Sequence, residues 1–210
     1  MNLAKKNNIT RTSLIKEIGS EFPNGKGVEV GTFKGEFSKE IMEIWGGKLF
    51  MVDVWSELDS SEYLDSSNHK NFERGSIYGA AIDSIAGYES RAIMVRANSE
   101  TASDMFADES LDFVYIDANH AYDYVVQDIG LWYPKVKKGG YLCGHDYIDM
   151  NWSEDPNFVK NGKDKHIYSG NGFYHGVFGV NPAVDEFCEK NGYEPIVTNE
   201  WFGSWMLKKK

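Results

Sequence analysis

The apolar residues of this chain fall into two alternating patterns. Short, nearly continuous runs occur at Val28-Glu29-Val30, Leu49-Phe50-Met51-Val52, Ala92-Ile93-Met94-Val95, Phe113-Val114-Tyr115-Ile116 and Tyr141-Leu142-Cys143. Their length and their β-branched and aromatic content predict strands buried on both faces. Between the runs, apolar residues recur every three or four positions, as helices require. Leu14, Ile15, Ile18 and Phe22 predict a helix over 12–22 that stops at Pro23-Asn24-Gly25. Phe37, Ile41, Ile44 and Trp45 predict the next, and Ile77, Ala80, Ala81, Ile82 and Ile85 a third. Ser99 to Phe106 reads as a short helix capped by Ser99. Val125, Ile129, Trp132 and Val136 predict a helix closed by Lys137-Lys138-Gly139-Gly140.

Beyond this region, Asn181-Pro182 reads as a helix cap followed by proline at the first helical position, with Val184, Phe187 and Cys188 facing inward. Ile196-Val197 and Trp205-Met206-Leu207 supply two last strands. Residues 56–70, rich in Ser, Asp and Asn, are expected to be loop, and the polar stretch 148–175 an inserted, lid-like loop. Strand and helix alternate from residue 26 to 147. The expected fold is therefore a doubly wound α/β domain, with a mostly parallel seven-stranded sheet and helices on both faces, spanning 1–210 as one unit.

Ligands bind such sheets at the carboxyl ends of the strands. Those ends carry Glu29, Asp53, Asn98 with Ser99, Asp117, and His145-Asp146. Five successive buried strands closing on polar residues mark that edge as the place to look for chemistry.

Composition narrows the partners. With 32 acidic against 22 basic residues, the net charge of −10 opposes nucleic acid and anionic lipid. The cluster Lys208-Lys209-Lys210 is expected to be a frayed, solvated tail. Cys143 and Cys188 lack CxxC spacing and are expected to be buried, reduced thiols. No apolar run approaches the roughly 20 residues of a membrane span, and the first eight residues contain no signal-like segment. A cytoplasmic protein without a membrane partner is expected.

The stretch Val28-Glu29-Val30-Gly31-Thr32-Phe33-Lys34-Gly35-Glu36-Phe37-Ser38 reads as a strand, a glycine turn and a helix start, with a carboxylate beside free backbone N–H groups. A dinucleotide fingerprint counted from Gly31 would need glycines at Phe33 and Glu36, which disfavours NAD. The Gly-Lys-Ser/Thr ending of a triphosphate loop is also missing. Asp53, closing the second strand, can accept ribose hydroxyls. S-adenosylmethionine (SAM) fits, because its ammonium and sulfonium charges suit an acid-rich pocket.

These residues carry a family resemblance. The 28–38 stretch resembles motif I of class I SAM-dependent methyltransferases. Phe113 to Tyr122, with Asp128, Trp132, Gly139-Gly140 and His145-Asp146, resembles the branch that includes macrocin-type O-methyltransferases and cephalosporin-hydroxylase-like proteins. The resemblance places Glu29, Gly31 and Gly35 at the methionine end of SAM, Asp53 at the ribose and Ser99 at the adenine side. Thr32, Phe33, Ser38 and Asp117 join the cofactor-binding set, as does Asn98, where relatives often have an acid.

Asp117 and Asp146 close what should be neighbouring strands, about 4.8 Å apart, so the two carboxylates can share a Mg²⁺ or Mn²⁺ ion. The resemblance implies metal ligation at both; at the preceding position, where relatives can carry another acid, this chain has His145, whose imidazole can ligate Mn²⁺ or Fe²⁺ but suits Mg²⁺ poorly. It also implies that His120 is the base that deprotonates the acceptor hydroxyl, with Asp117 beside it. Tyr147, Tyr174 and His175 border the insert and can contact the acceptor. The implied activity is metal-assisted O-methylation of a small hydroxylated metabolite, such as a sugar or polyketide, by a chain that can form a homodimer. The alternatives are a cephalosporin-hydroxylase-like or non-catalytic SAM-binding relative, and an NAD-dependent oxidoreductase.

Overall fold

The computed structural model describes residues 9–56, 58, 71–148, 151–153, 167–170, 173–177 and 179–210, the three short segments between 151 and 177 through their backbone only. The elements are α1 (Arg11–Glu21), β1 (Lys26–Val30), α2 (Glu36–Ile44), β2 (Lys48–Asp53), α3 (Asn71–Ser84), β3 (Ala92–Arg96), α4 (Ser99–Ser103), β4 (Leu111–Ile116) and α5 (Tyr122–Trp132). They continue with β5 (Val136–Tyr147), β6 (Asn151–Ser153), β7 (Ile167–Gly170), β8 (Phe173–Val177), α6 (Val180–Asn191), β9 (Ile196–Val197) and β10 (Gly203–Lys208).

The main sheet has seven strands in the order β3-β2-β1-β4-β5-β10-β9. β1 to β5 run parallel, and β10 is antiparallel to both its neighbours. This is the expected doubly wound, mostly parallel sheet. The chain winds outward from β1 to β3 and then returns to place β4 on the other side of β1. The order reverses between β1 and β4, which opens a crevice at their carboxyl ends.

Period-two alternation sends side chains to two cores. Met51, Phe113, Tyr115, Cys143 and Met206 meet Leu14, Ile18, Phe37 and Ile41 of α1 and α2. Val28, Val30, Val114, Ile116, Leu142 and Trp205 meet Ala102, Val125, Ile129, Trp132 and Val184 of α4, α5 and α6. Leu14, Ile15 and Ile18 are completely buried, each contributing about 1.5–3 kcal/mol over an exposed position. Cys143 and Cys188 are buried and free, as expected.

Several local expectations are corrected. α5 ends at Trp132, and Val136 belongs to β5. Pro134 lies in the 3-10 turn Tyr133–Lys135 that follows, where its missing N–H stops the helix. Lys137-Lys138-Gly139-Gly140 is not a helix end but a bulge within β5, since two steps along β4 (Leu111 to Phe113) face five along β5 (Val136 to Tyr141). Gly139 takes φ 77°, a conformation glycine tolerates. α6 starts at Val180 with Gly179 as its cap, so Pro182 falls inside the first turn, where no helical partner is missed.

The 148–175 stretch is not all loop. β6, β8 and β7 form a separate three-stranded antiparallel sheet. Gly170 pairs with Phe173 at one end of the β7–β8 ladder. Most of 56–70 and the rest of the insert lie outside the described residues.

The lysine tail is not frayed. Lys208 Nζ donates to both carboxylate oxygens of Glu21, at 2.8 and 2.6 Å. Lys209 is 9% exposed and donates to the carbonyls of Val136 at 2.8 Å and Tyr133 at 3.2 Å. Lys210 Nζ reaches the carbonyl of Gly192, the C-cap of α6. Lys208 thus pairs with the side chain of the last residue of α1, and Lys209 and Lys210 donate to carbonyls just after α5 and α6, where the helix dipoles are negative.

Candidate functional site

The glycine turn is shaped by close backbone approach. Gly31 has φ 88°, and a Cβ there would overlap the main-chain carbonyl of Asp117. Gly35, the N-cap of α2, has φ 75° and faces the Ser84 hydroxyl in the same way. Phe33 takes φ 51° and Trp55 φ 41°, conformations that non-glycine residues rarely adopt without a local compensation. Here Asp53 supplies it. One carboxylate oxygen accepts the Phe33 N–H at 2.9 Å and the other the Trp55 N–H at 2.8 Å. The Trp55 indole N–H in turn donates to the Phe33 carbonyl at 2.8 Å. Asp53 therefore holds the turn from below, and the remaining lone pairs of each oxygen can accept ligand hydroxyls.

Glu29 lies on the α2 side of β1 and is 2% exposed. The Ser38 hydroxyl donates to its carboxylate. Burial pushes the Glu29 carboxyl up to about 8, and the charges of Asp117 and Asp53 push the same way against the Ser38 bond and Arg11. A buried acid perturbed in this way is a candidate functional group.

At the end of β3, Asn98 caps α4 by accepting the Thr101 N–H at 2.8 Å. The cap is therefore Asn98 and not Ser99, because Asn98 has extended backbone and an oxygen within reach of the third helical N–H. The Ser99 hydroxyl instead donates to Asp128 and accepts the Trp132 indole N–H at 2.8 Å. Asp128 is 5% exposed, and burial lifts its carboxyl to about 6 despite the Ser99 bond.

Across the crevice, the Asp117 N–H donates to the Val30 carbonyl at 2.7 Å, which ties the end of β4 to β1. His120 Nε2 lies 2.7 Å from Asp146 Oδ2 and 3.7 Å from Asp117 Oδ1. His145 Nδ1 lies 3.1 Å from Asp146 Oδ1 and 3.9 Å from Asp117 Oδ2. Two carboxylates are thus flanked by two imidazoles. The expected metal set was Asp117, Asp146 and His145, yet the side chains whose donor atoms converge within 4.8 Å are Asp117, His120 and Asp146. Asp146 has φ 55°, and its two oxygens face His120 and His145. Burial alone would raise Asp146, but the hydrogen bonds from His120 and His145 outweigh it and hold the carboxyl well below its ordinary range. Burial would likewise lower His145, and its bond to Asp146 and the charge of Asp117 raise it instead.

A methyltransferase-domain family model matches residues 28–147, more than half of the chain. The chain belongs to the methyltransferase domain family. The matched span contains both halves of the crevice, from Glu29 to Asp146. Uncharacterized protein R132 of Acanthamoeba polyphaga mimivirus is 30% identical over 128 residues, 60% of this chain and 53% of that protein. The chain thus matches about half the length of that curated relative. Among solved structures, a Staphylococcus aureus protein assigned as a caffeoyl-CoA O-methyltransferase superposes with a TM-score of 0.62 at 15% identity, covering 98% of this chain and 87% of that one. The O-methyltransferase TomG of Streptomyces achromogenes, in complex with SAM, gives 0.59 at 12% identity, and the O-methyltransferase NovP 0.58 at 16%. Each of these two covers 95% of this chain and 80% of its own. At such identities the likeness is one of fold, the class I methyltransferase fold.

Within this methyltransferase domain, Glu29, Gly31, Thr32, Phe33, Gly35, Ser38 and Asp53 gather on one wall of the crevice and Asp117, His120, His145 and Asp146 on the other. Tyr147 follows, its hydroxyl donating to Asp185 of α6 at 2.6 Å. The side chains of Tyr174 and His175 lie outside the described residues. Sequence reasoning gave no site role to Trp55 or Arg11 and quoted Asp128 only as part of the family resemblance. Arg11 lies over the Phe37 ring at 4.4 Å and pairs with Glu40 at 3.3 Å, and its charge acts on both Glu29 and His145. No periodicity marks an arginine in the first turn of a remote helix; only the packing of α1 on α2 brings it there. A separate concavity of about 410 Å³ opens at the opposite end of the sheet, beside Glu21, Tyr141 and Lys208, and none of the residues expected to carry chemistry lines it.

Proposed function

We propose that residues 1–210 act as one SAM-dependent methyltransferase domain that methylates a hydroxyl of a small metabolite with the help of a divalent cation. The observation that carries this reading is the contact between Gly31 and Asp117. It joins a cofactor-type turn to a carboxylate and imidazole cluster with no intervening layer.

The residues fit the cofactor. The two glycines let the turn pack directly against the Asp117 carbonyl and the Ser84 hydroxyl, Glu29 offers a buried carboxylate to an ammonium, and Asp53 offers acceptor lone pairs to a ribose. They also fit a metal, because two carboxylates and an imidazole converge, a set that suits Mn²⁺ or Fe²⁺ better than Mg²⁺. When bound, SAM supplies an activated methyl group and the cation lowers the pKa of a coordinated hydroxyl. Asp117, His120 and Asp146 would hold the cation. His120 Nε2 and Asp146 Oδ2 lie 2.7 Å apart. That histidine–carboxylate pair orients the ring for general-base work, and the rigid strand ends supply alignment of acceptor and methyl donor.

Thermal-shift measurements with SAM, S-adenosylhomocysteine and NADH, each with Mn²⁺, Mg²⁺ or EDTA, test the reading. Stabilisation by SAM and S-adenosylhomocysteine is expected, increased by Mn²⁺. Stabilisation by NADH alone would sink the cofactor assignment, and indifference to metal would remove the cation.

A further inference from the structure

α1 runs along the sheet from one edge to the other. Its last residue, Glu21, accepts the Tyr141 hydroxyl and the Lys208 ammonium near the amino ends of the parallel strands. Its first residue, Arg11, is thereby carried roughly 15 Å along the helix axis to the carboxyl edge. That start is pinned to the turn between β9 and β10. Glu200 accepts the Arg11 N–H at 2.7 Å, and Asn199 exchanges two bonds with Ile9, at 2.9 and 3.2 Å.

The Arg11 guanidinium lies over the Phe37 ring, with Cζ 4.4 Å from its centre. Phe37 belongs to the first turn of α2, and the next residue, Ser38, donates to the buried Glu29 carboxylate. Burial raises the Glu29 carboxyl, and the Arg11 charge acts against that rise, as only a nearby, poorly screened cation can. The guanidinium therefore stands beside the acid assigned to the methionine end of the cofactor. Its side chain is 31% exposed, and its one ion pair among the described residues joins Nη2 to Glu40 at 3.3 Å. Nε and Nη1 have no acceptor among those residues, and a guanidinium presents its N–H groups as a rigid fork that matches a carboxylate.

The other described cations at this edge are engaged or turned away. Arg96 donates to the carbonyls of Val54 at 3.2 Å and Trp55 at 3.0 Å. His120 and His145 face Asp117 and Asp146. Lys34 is exposed and lies over the ring of Phe33, whose N–H is held by Asp53 at the ribose end. The amino-acid end of SAM carries its ammonium and its carboxylate on the same carbon, so a site that takes the first at Glu29 needs a positive donor close by for the second.

We infer that Arg11 binds the carboxylate of SAM and so fixes the methionine end between α1 and Glu29. This rests on the methyl-transfer reading above and adds a cofactor-positioning residue from outside residues 28–147, the span matched by the family model.

Titration calorimetry on the full chain tests it with two ligands, S-adenosylhomocysteine and its decarboxylated analogue, which keeps the ammonium and lacks the carboxylate. The wild-type protein is expected to prefer S-adenosylhomocysteine at least about tenfold. Arg11→Met, whose apolar stem can still cover Phe37, should reduce that preference to within about twofold by weakening S-adenosylhomocysteine alone. Because the interaction is read as a difference between ligands, a general loosening of α1 cancels. Arg11→Lys should keep part of the preference, and Lys34→Met all of it. Equal weakening of both ligands in Arg11→Met would make Arg11 a structural residue and overturn the inference, and so would an unchanged preference in that variant. No preference in the wild-type protein, or its collapse in Lys34→Met, would overturn it as well, whether or not Arg11→Met folds. Failure of both ligands to bind the wild-type protein would instead strike the methyl-transfer reading.

Discussion

The Cα of Gly31 rests against the main-chain carbonyl of Asp117, with no room for a methyl group between them. One end of β1 and one end of β4 are thereby locked at the point where the sheet order reverses.

Gly31→Ala should therefore damage binding more than folding. The substitution adds both a clash and a strained φ of 88°, a cost of about 1–3 kcal/mol for the conformation alone. Calorimetric titration with SAM is expected to show affinity reduced at least tenfold, while circular dichroism retains the native spectrum. Unchanged affinity would mean that the turn is not the cofactor cradle.

Glu29 should couple cofactor binding to pH. Its carboxyl sits near 8 in the free protein instead of the ordinary 4.5, so at neutral pH it holds a proton that an arriving ammonium or sulfonium displaces. SAM binding is expected to release a fraction of a proton per site near pH 7 and to tighten as pH rises toward 8. Titration calorimetry in two buffers of different ionisation enthalpy measures the release. The folded state binds this proton when the unfolded chain has lost it, so the contribution to stability is full below pH 4.5 and declines as pH rises to about 8. Glu29→Gln should abolish both the proton release and the pH-dependent decline.

His120→Ala should separate chemistry from binding. The 2.7 Å contact with Asp146 aims the ring, and a positioned base contributes about 10²–10⁴-fold. Methyl transfer from labelled SAM to an accepted hydroxyl is expected to fall by that order, with SAM affinity held within about twofold. Asp146→Asn should reproduce the loss, because it removes the partner that fixes the ring, and should also weaken Mn²⁺ binding measured by its paramagnetic resonance.

Lys209→Met should destabilise the domain although it touches no part of the site. The ammonium donates to carbonyls of Tyr133, Pro134 and Val136, and losing hydrogen bonds from a charged donor costs about 1.5–3 kcal/mol. Urea denaturation should show a lower midpoint, with SAM affinity unaltered under native conditions.

Periodicity and residue type were enough to place every strand of the main sheet, the glycine turn and the acids that close the strands. Those features are local: a buried strand must be apolar over a few consecutive residues, a sharp turn needs glycine, and a carboxylate at a strand end follows from counting along the chain. Tertiary structure alone decided the rest. His120 joins Asp117 and Asp146 in the converging set, with its Nε2 2.7 Å from Asp146 Oδ2. Ser99 serves Asp128 and Trp132 instead of capping its own helix, and the three terminal lysines bind groups at or just after the ends of three helices, far away in sequence. In each case the deciding contact joins groups far apart along the chain, and only packing the two layers onto the sheet sets the distance between them.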